Sequence, residues 1–199
     1  MKSEPRVLLA AYSEVGAVCL EELLSQGARV IGVFTHEDDQ FEEIWFRSVA
    51  AVASEAGIPV FAPEDINSPE EIRRIRALRP DFLFSFYYRK MIAQEILSIP
   101  PLGAFNMHGS LLPRYRGRAC VNWAILKGER KTGATLHAMT SRADAGDIVD
   151  QEPVSIEFTD TSRDVFIKVK DAARKIMSRS WPLLREDLAS RSPQDETLA

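Results

Sequence analysis

Three consecutive stretches decide the fold: Arg6-Val7-Leu8-Leu9-Ala10-Ala11, then Tyr12-Ser13-Glu14-Val15-Gly16, then Ala28-Arg29-Val30-Ile31-Gly32-Val33-Phe34 after an intervening helical pattern. The first and last are short apolar runs of strand length. Between them Val18, Leu20, Leu23 and Leu24 recur at helical spacing, and Gly27 ends the pattern. Two buried strands joined through a helix make a β-α-β unit, and that crossover implies parallel strands. Tyr12 to Gly16 reads as a polar turn between the first strand and its helix.

The alternation continues downstream. Residues 41–56 read as a helix closed by Gly57, and Pro59-Val60-Phe61 as a short strand. Asn67-Ser68-Pro69-Glu70-Glu71 is a helix start: a capping side chain, proline in the first turn, then acids near the positive end of the dipole. Pro80 stops that helix, and Asp81–Phe86 is the next strand. An α/β fold with a parallel sheet is the economical reading. The second half differs. Gly103–His108 is a strand ending in polar groups, and a loop from Gly109 to Arg118 leads to a helix near Val121–Leu126. Residues 133–139 and 147–154 read as strands with a short link, hence an antiparallel pair and a mixed sheet. Ser162 to about Leu188 is helical, with Pro182 expected to kink or break it. One domain over residues 1–188 is expected, with 189–199 a disordered polar tail.

Composition narrows the function classes. The 199 residues carry a net charge of -4, which disfavours a nucleic-acid partner. Cys19 and Cys120, the two cysteines, make neither a metal quartet nor a disulfide framework. Cys19, in an apolar helical run, reads as a small core residue; Cys120 lies close to the most informative motif but has no recognisable activating base. No signal-peptide pattern and no apolar run of spanning length is present, so the expected location is the cytoplasm, without membrane association. There is no glycine fingerprint for a dinucleotide or a triphosphate, and no metal-ligand spacing.

The chemistry concentrates in Asn106-Met107-His108-Gly109-Ser110-Leu111-Leu112-Pro113-Arg114-Tyr115-Arg116-Gly117. Asn106 and His108 stand two apart at a strand end, so their side chains share one side. Open α/β sheets bind ligands beyond the carboxyl ends of their strands. A pair of satisfied core polar groups is the plain alternative. Asp144, in Arg142-Ala143-Asp144-Ala145-Gly146-Asp147, can orient an imidazole or pass a proton, or simply form a turn.

Asn106, the His108-to-Gly117 pattern HxSLLPxxxG, and Asp144 in Ala143-Asp144-Ala145-Gly146 together resemble the 10-formyltetrahydrofolate-dependent formyltransferases. The likeness runs from Val7 to about Ile176. It is nearest to the members that formylate UDP-4-amino-4-deoxy-L-arabinose in polymyxin resistance, through Phe34-Thr35-His36, Gly57-Ile58-Pro59-Val60 and Phe84-Ser85-Phe86-Tyr87-Tyr88-Arg89. The resemblance implies a Rossmann-like formyltransferase fold: a mixed, mostly parallel sheet flanked by helices. It implies 10-formyltetrahydrofolate as co-substrate without a metal, and a nucleotide-linked amino sugar as acceptor. A dTDP-amino sugar, glycinamide ribonucleotide or methionyl-tRNA as acceptor, a non-catalytic folate-binding module, and a hydrolase releasing formate are the alternatives.

Asn106, His108 and Asp144 would be catalytic: Asn106 and a protonated His108 donating to the developing oxyanion, Asp144 raising and orienting His108. Folate would lie against Phe86, Tyr87, Tyr88, Arg89, Lys90, Met91, Ile92 and Ala143. The acceptor would meet Tyr12, Ser13, Gly16, Ser110, Arg114 and Arg116, although Ser110 also reads as a loop hydrogen-bonder. The arginines read equally well as solvated surface. His36 and His137 have no catalytic partners at a recognisable spacing and read as structural or surface residues.

Overall fold

β1 (Arg6–Ala11) forms where the opening apolar run places it, with Val7 through Ala11 fully buried. The computed structural model describes residues 4–37 and 44–199. They pack as two compact units that divide between Phe105 and Asn106.

In the first unit α1 (Ser13–Ser25) begins immediately after Tyr12, inside the stretch expected to be a turn. Gly16 is thus a helical residue. A Cβ built there would lie 2.8 Å from Val49 Cγ2, so glycine permits a close approach to the next helix. β2 (Arg29–Phe34) is followed by α2 (Val49–Glu55), capped by the Ser48 hydroxyl accepting from Ala51 N–H. The helix expected over 41–56 therefore starts late: residues 44–48 are not helical, and 41–43 lie outside the described residues. β3 (Val60–Phe61) precedes α3 (Pro69–Leu78), whose Ser68 cap accepts from Glu71 N–H as the sequence predicts. β4 (Phe82–Phe86) is buried throughout. A short α4 (Gln94–Leu97) was not expected; four residues give too little periodicity to detect. β1 pairs in parallel with both β2 and β4, and β2 with β3. Phe82, Phe84, Phe86 and Phe105 stack into one aromatic core, with the Phe84–Phe86 and Phe84–Phe105 centroids each 5.7 Å apart. Each such ring contributes about 1.5–3 kcal/mol by burial.

β5 (Gly103–His108) carries the chain into the second unit. There α5 (Cys120–Leu126) leads to β6 (Lys131–Ala138) and β7 (Ile148–Ser155). The pair is antiparallel, with Thr135 opposite Gln151. α6 (Ser162–Arg185) opens with a capping box between Thr161 and Asp164, which satisfies otherwise orphaned N–H groups. It buries Val165, Val169, Ile176 and Trp181 and packs on β6 and β7. Pro182 neither ends nor interrupts it; the helix continues to Arg185. The seven strands are ordered β3-β2-β1-β4-β5-β6-β7 in a mixed, mostly parallel sheet, a Rossmann-like α/β architecture. Residues 189–199, for which composition suggests disorder, carry defined contacts. Ser192 bridges Ile148, and Glu196–Leu198 form a 3-10 turn.

Candidate active site

β5 ends with alternate residues Asn106 and His108, and the second unit gathers their polar ends around Asp144. Asp144 Oδ2 accepts from Gly117 N–H at 2.9 Å and lies 3.6 Å from His108 Nδ1. Its Oδ1 accepts from Asn106 Nδ2 at 3.3 Å and lies 3.4 Å from His137 Nε2. The residue itself takes a left-handed backbone, φ 50°. Such a conformation in a non-glycine residue costs on the order of 1 kcal/mol or more and often marks a functional site. Next to it, Gly146 has no alternative: a Cβ there would stand 1.9 Å from the Ala138 carbonyl oxygen.

Both rings are fixed from their far sides. His108 Nε2 donates to Tyr115 O at 2.8 Å, and His137 Nδ1 donates to Ala138 O at 2.8 Å. His137 Nε2 then accepts from Asn106 Nδ2 at 3.1 Å. His137 is therefore a member of this cluster, although it stands outside every motif. Its position in β6, two residues beyond buried Thr135, is the only sequence signal it gives. Both Asn106 N–H bonds are committed to Asp144 and His137, so its Oδ1 is the atom left without a partner among the described residues.

Burial pushes His108 below the ordinary histidine value, outweighing the upward pulls of Asp144 and the Tyr115 carbonyl. The sequence expectation that Asp144 would hold it charged is thus corrected. The ring is about 7% exposed, and desolvation disfavours the cation. Burial also opposes ionisation of Asp144, but the neighbouring His137 and His108 rings and the Gly117 N–H outweigh it and hold the carboxyl at about 2. Cys120 is buried nearby with its thiol pushed up to about 11 by burial, which leaves it unreactive at neutral pH.

Two expected acceptor contacts are otherwise engaged. Ser110 is fully buried and donates to Arg114 O at 2.6 Å, stapling the loop. Arg116 donates to Gln194 and Glu196 through Nε, Nη1 and Nη2, so its charge is already neutralised. The Arg114 side chain remains 60% exposed. Ala143, itself exposed, precedes the half-buried Asp144 in the same loop.

The other singled-out residues belong to the first unit. Tyr12 and Ser13 are buried at the start of α1, and Tyr12 provides no side-chain cap. The Ser13 hydroxyl has no hydrogen-bond partner among the described residues. Phe86 closes β4, and Tyr87 turns the chain with φ 57°. The following loop is held by Asn67, which donates to Met91 O at 2.9 Å and accepts from Ala93 N–H at 2.7 Å. Lys90 Nζ donates to Glu64 O, Met91 is exposed, and Ile92 is buried. His36 stacks on Tyr88 at 4.1 Å between centroids and accepts from Arg89 N–H at 3.0 Å. Arg89 lies over the Tyr12 ring at 4.4 Å. Burial, then the charges of Lys90 and Arg89, lower His36 to about 4, consistent with a ring that accepts rather than donates at Nε2.

These shifts have one direction on stability. His36 and His108 bind protons more weakly folded than unfolded, where the reference is about 6.5. The unfolded chain therefore takes up more protons below that value, and stability falls as pH drops through it. The Asp144 contribution persists above about 3.8 and is lost only as pH falls toward about 2. A thermal melt series should show Tm falling between about pH 7 and 5, with His36→Gln flattening part of the slope. A Tm independent of pH in that range would contradict these histidine environments.

Known proteins share this fold. The family model described as "Formyl transferase" matches residues 8–180. Among solved structures, the Helicobacter canadensis N-formyltransferase in complex with folinic acid and dTDP-3-aminofucose superposes with a TM-score of 0.78 at 22% identity. That alignment covers 96% of this chain and 68% of the other. Glycinamide ribonucleotide transformylase 1 from Symbiobacterium toebii gives 0.80 at 21%, covering 98% and 96%. A formyltetrahydrofolate deformylase from Pseudomonas syringae gives 0.79 at 22%, covering 93% and 62%. At these identities the structures establish a shared fold. The family match spans most of the sequence, and the chain is an enzyme belonging to the formyl transferase family.

Proposed function

We propose that this enzyme moves the formyl group of 10-formyltetrahydrofolate to the amine of a nucleotide-linked amino sugar, with UDP-4-amino-4-deoxy-L-arabinose as the acceptor. The observation that carries the proposal is the single carboxylate of Asp144, in reach of Asn106, His108, His137 and the Gly117 N–H at once. The choice of acceptor rests on the sequence runs around Phe34-Thr35-His36 and Phe84–Arg89. A solved relative holding a nucleotide-linked amino sugar gives it support. On this reading the enzyme works in the cytoplasm, in the lipid A modification that gives polymyxin resistance.

The reaction forms a carbon–nitrogen bond to the acceptor and breaks the bond from the formyl carbon to folate N10. The acceptor amine loses a proton, and N10 gains one. His108 is neutral when free, so its Nδ1 can take the amine proton beside Asp144 Oδ2. That carboxylate then stabilises the imidazolium until the proton is handed to N10. Asn106 Oδ1 accepts from the attacking amine and orients it. The Nδ1–H that His108 so gains faces the formyl oxygen and stabilises the developing negative charge, while Nε2–H stays on Tyr115 O. One donor of this kind is worth about 100- to 1000-fold in rate. Phe86 to Ile92 and Ala143 serve folate. Arg114 meets the acceptor phosphates.

The test is an acceptor panel with 10-formyltetrahydrofolate, following tetrahydrofolate release. UDP-4-amino-4-deoxy-L-arabinose should give the highest kcat/KM. A higher value for a dTDP-amino sugar, glycinamide ribonucleotide or methionyl-tRNA would reassign the acceptor. Formate release without any acceptor would make the enzyme a hydrolase, and binding without turnover a folate-binding module.

A further inference from the structure

We infer that Gln194 is a positioning residue for the reaction, the side chain that holds Asp144 at its working place. The inference rests on the catalytic reading of Asp144 given above. Nothing in the polar composition of residues 189–199 singles out this glutamine; only the fold does.

The two amide hydrogens of Gln194 reach two carbonyls of one turn, Asp144 O at 2.9 Å and Gly146 O at 2.7 Å. The same turn contains the left-handed Asp144 and the obligatory Gly146. The carbonyl Oε1 of Gln194 accepts from Arg116 Nε at 3.1 Å and Nη2 at 2.6 Å. Arg116 stands between Tyr115, whose carbonyl accepts from His108, and Gly117, whose N–H donates to Asp144. One side chain thus ties together the two loops from which His108 and Asp144 take their alignment. Every hydrogen-bonding group of the amide is used, so the arrangement fixes a geometry rather than merely filling space. The segment is itself anchored. Ser192 exchanges backbone hydrogen bonds with Ile148 at 2.8 and 2.9 Å, and Glu196 holds the far side of Arg116.

The contacts specify what a substitution should do. Gln194→Glu keeps the length and the acceptor but faces two carbonyls with a carboxylate. Gln194→Ala removes the bridge and leaves the Ser192 anchor. The Asp144 turn should then relax its left-handed backbone and draw the carboxylate away from His108. Catalysis should suffer more than binding, because neither substrate is assigned to Gln194.

The experiment uses the full chain and three readouts. In both variants kcat should fall about 10- to 100-fold, as expected for a misplaced catalytic group. KM for folate and acceptor should stay within about twofold, the pattern of a lost transition-state interaction. In Gln194→Ala the His108 ring, followed by NMR titration without substrate, should move to lower pKa as the Asp144 charge recedes. An unchanged kcat, or a fall in kcat with an unchanged His108 titration, would overturn the inference. If wild-type protein transfers no formyl group, the catalytic reading fails. The His108 titration in wild type and variants then still decides whether Gln194 holds the Asp144 turn.

Discussion

His108→Ala is expected to lower kcat for formyl transfer by about 1000-fold while folate and acceptor still bind. The ring is buried, bonded to Tyr115 O and placed 3.6 Å from Asp144. No other group in the cluster can replace it as proton carrier. Asn106 has no titratable proton, and His137 is engaged at both nitrogens, by Ala138 O and by Asn106 Nδ2. Removing a buried ring also leaves a cavity, so His108→Gln is the necessary companion, because it keeps most of the volume. Both variants should lose activity to a similar extent, with folding checked by the thermal midpoint. Stopped-assay turnover that persists in either variant would exclude His108 from the chemistry.

Asp144→Asn should cost about 100- to 10,000-fold in kcat, for a different reason. The asparagine keeps an oxygen for Gly117 N–H or Asn106 Nδ2, but it removes the negative charge beside His108. The imidazolium that forms during proton transfer then lacks its counter-charge, and the orienting hydrogen bonds are rearranged. The carboxyl is held at about 2 against an ordinary 3.8. Its loss therefore also removes on the order of 2 kcal/mol of stability at neutral pH. The double variant His108→Ala/Asp144→Asn should be scarcely slower than the worse single variant, since the two act as one unit. Fully multiplicative losses would show that they act separately.

Much of the fold was legible because apolar run length and punctuation agree with the tertiary outcome. β1, β2, β4 and β5 stand where the runs place them, and Ser68-Pro69 starts α3 as its capping chemistry dictates. The misplacements share one cause: tertiary packing overrides local pattern. α1 swallows the Tyr12–Gly16 turn because Gly16 is needed against Val49. α6 runs through Pro182 because its apolar face, ending in Trp181 and Leu184, stays buried on both sides of the proline. Within the site, Asn106 and His108 were legible as alternate residues at a strand end. His137 and Gln194 were not. Each acts through a partner at least 31 residues away in sequence, and no local periodicity encodes such a meeting. The direction of the His108 shift was equally hidden. A neighbouring aspartate can be read from a motif, whereas the burial that outweighs it belongs to the folded chain.

The most direct test follows a labelled formyl carbon through one turnover. With enzyme in excess over 10-formyltetrahydrofolate and UDP-4-amino-4-deoxy-L-arabinose present, the label should appear on the sugar amine at the rate tetrahydrofolate forms, and His108→Ala should abolish both together. Label recovered as formate, or reaching the sugar equally fast in the variant, would contradict the account.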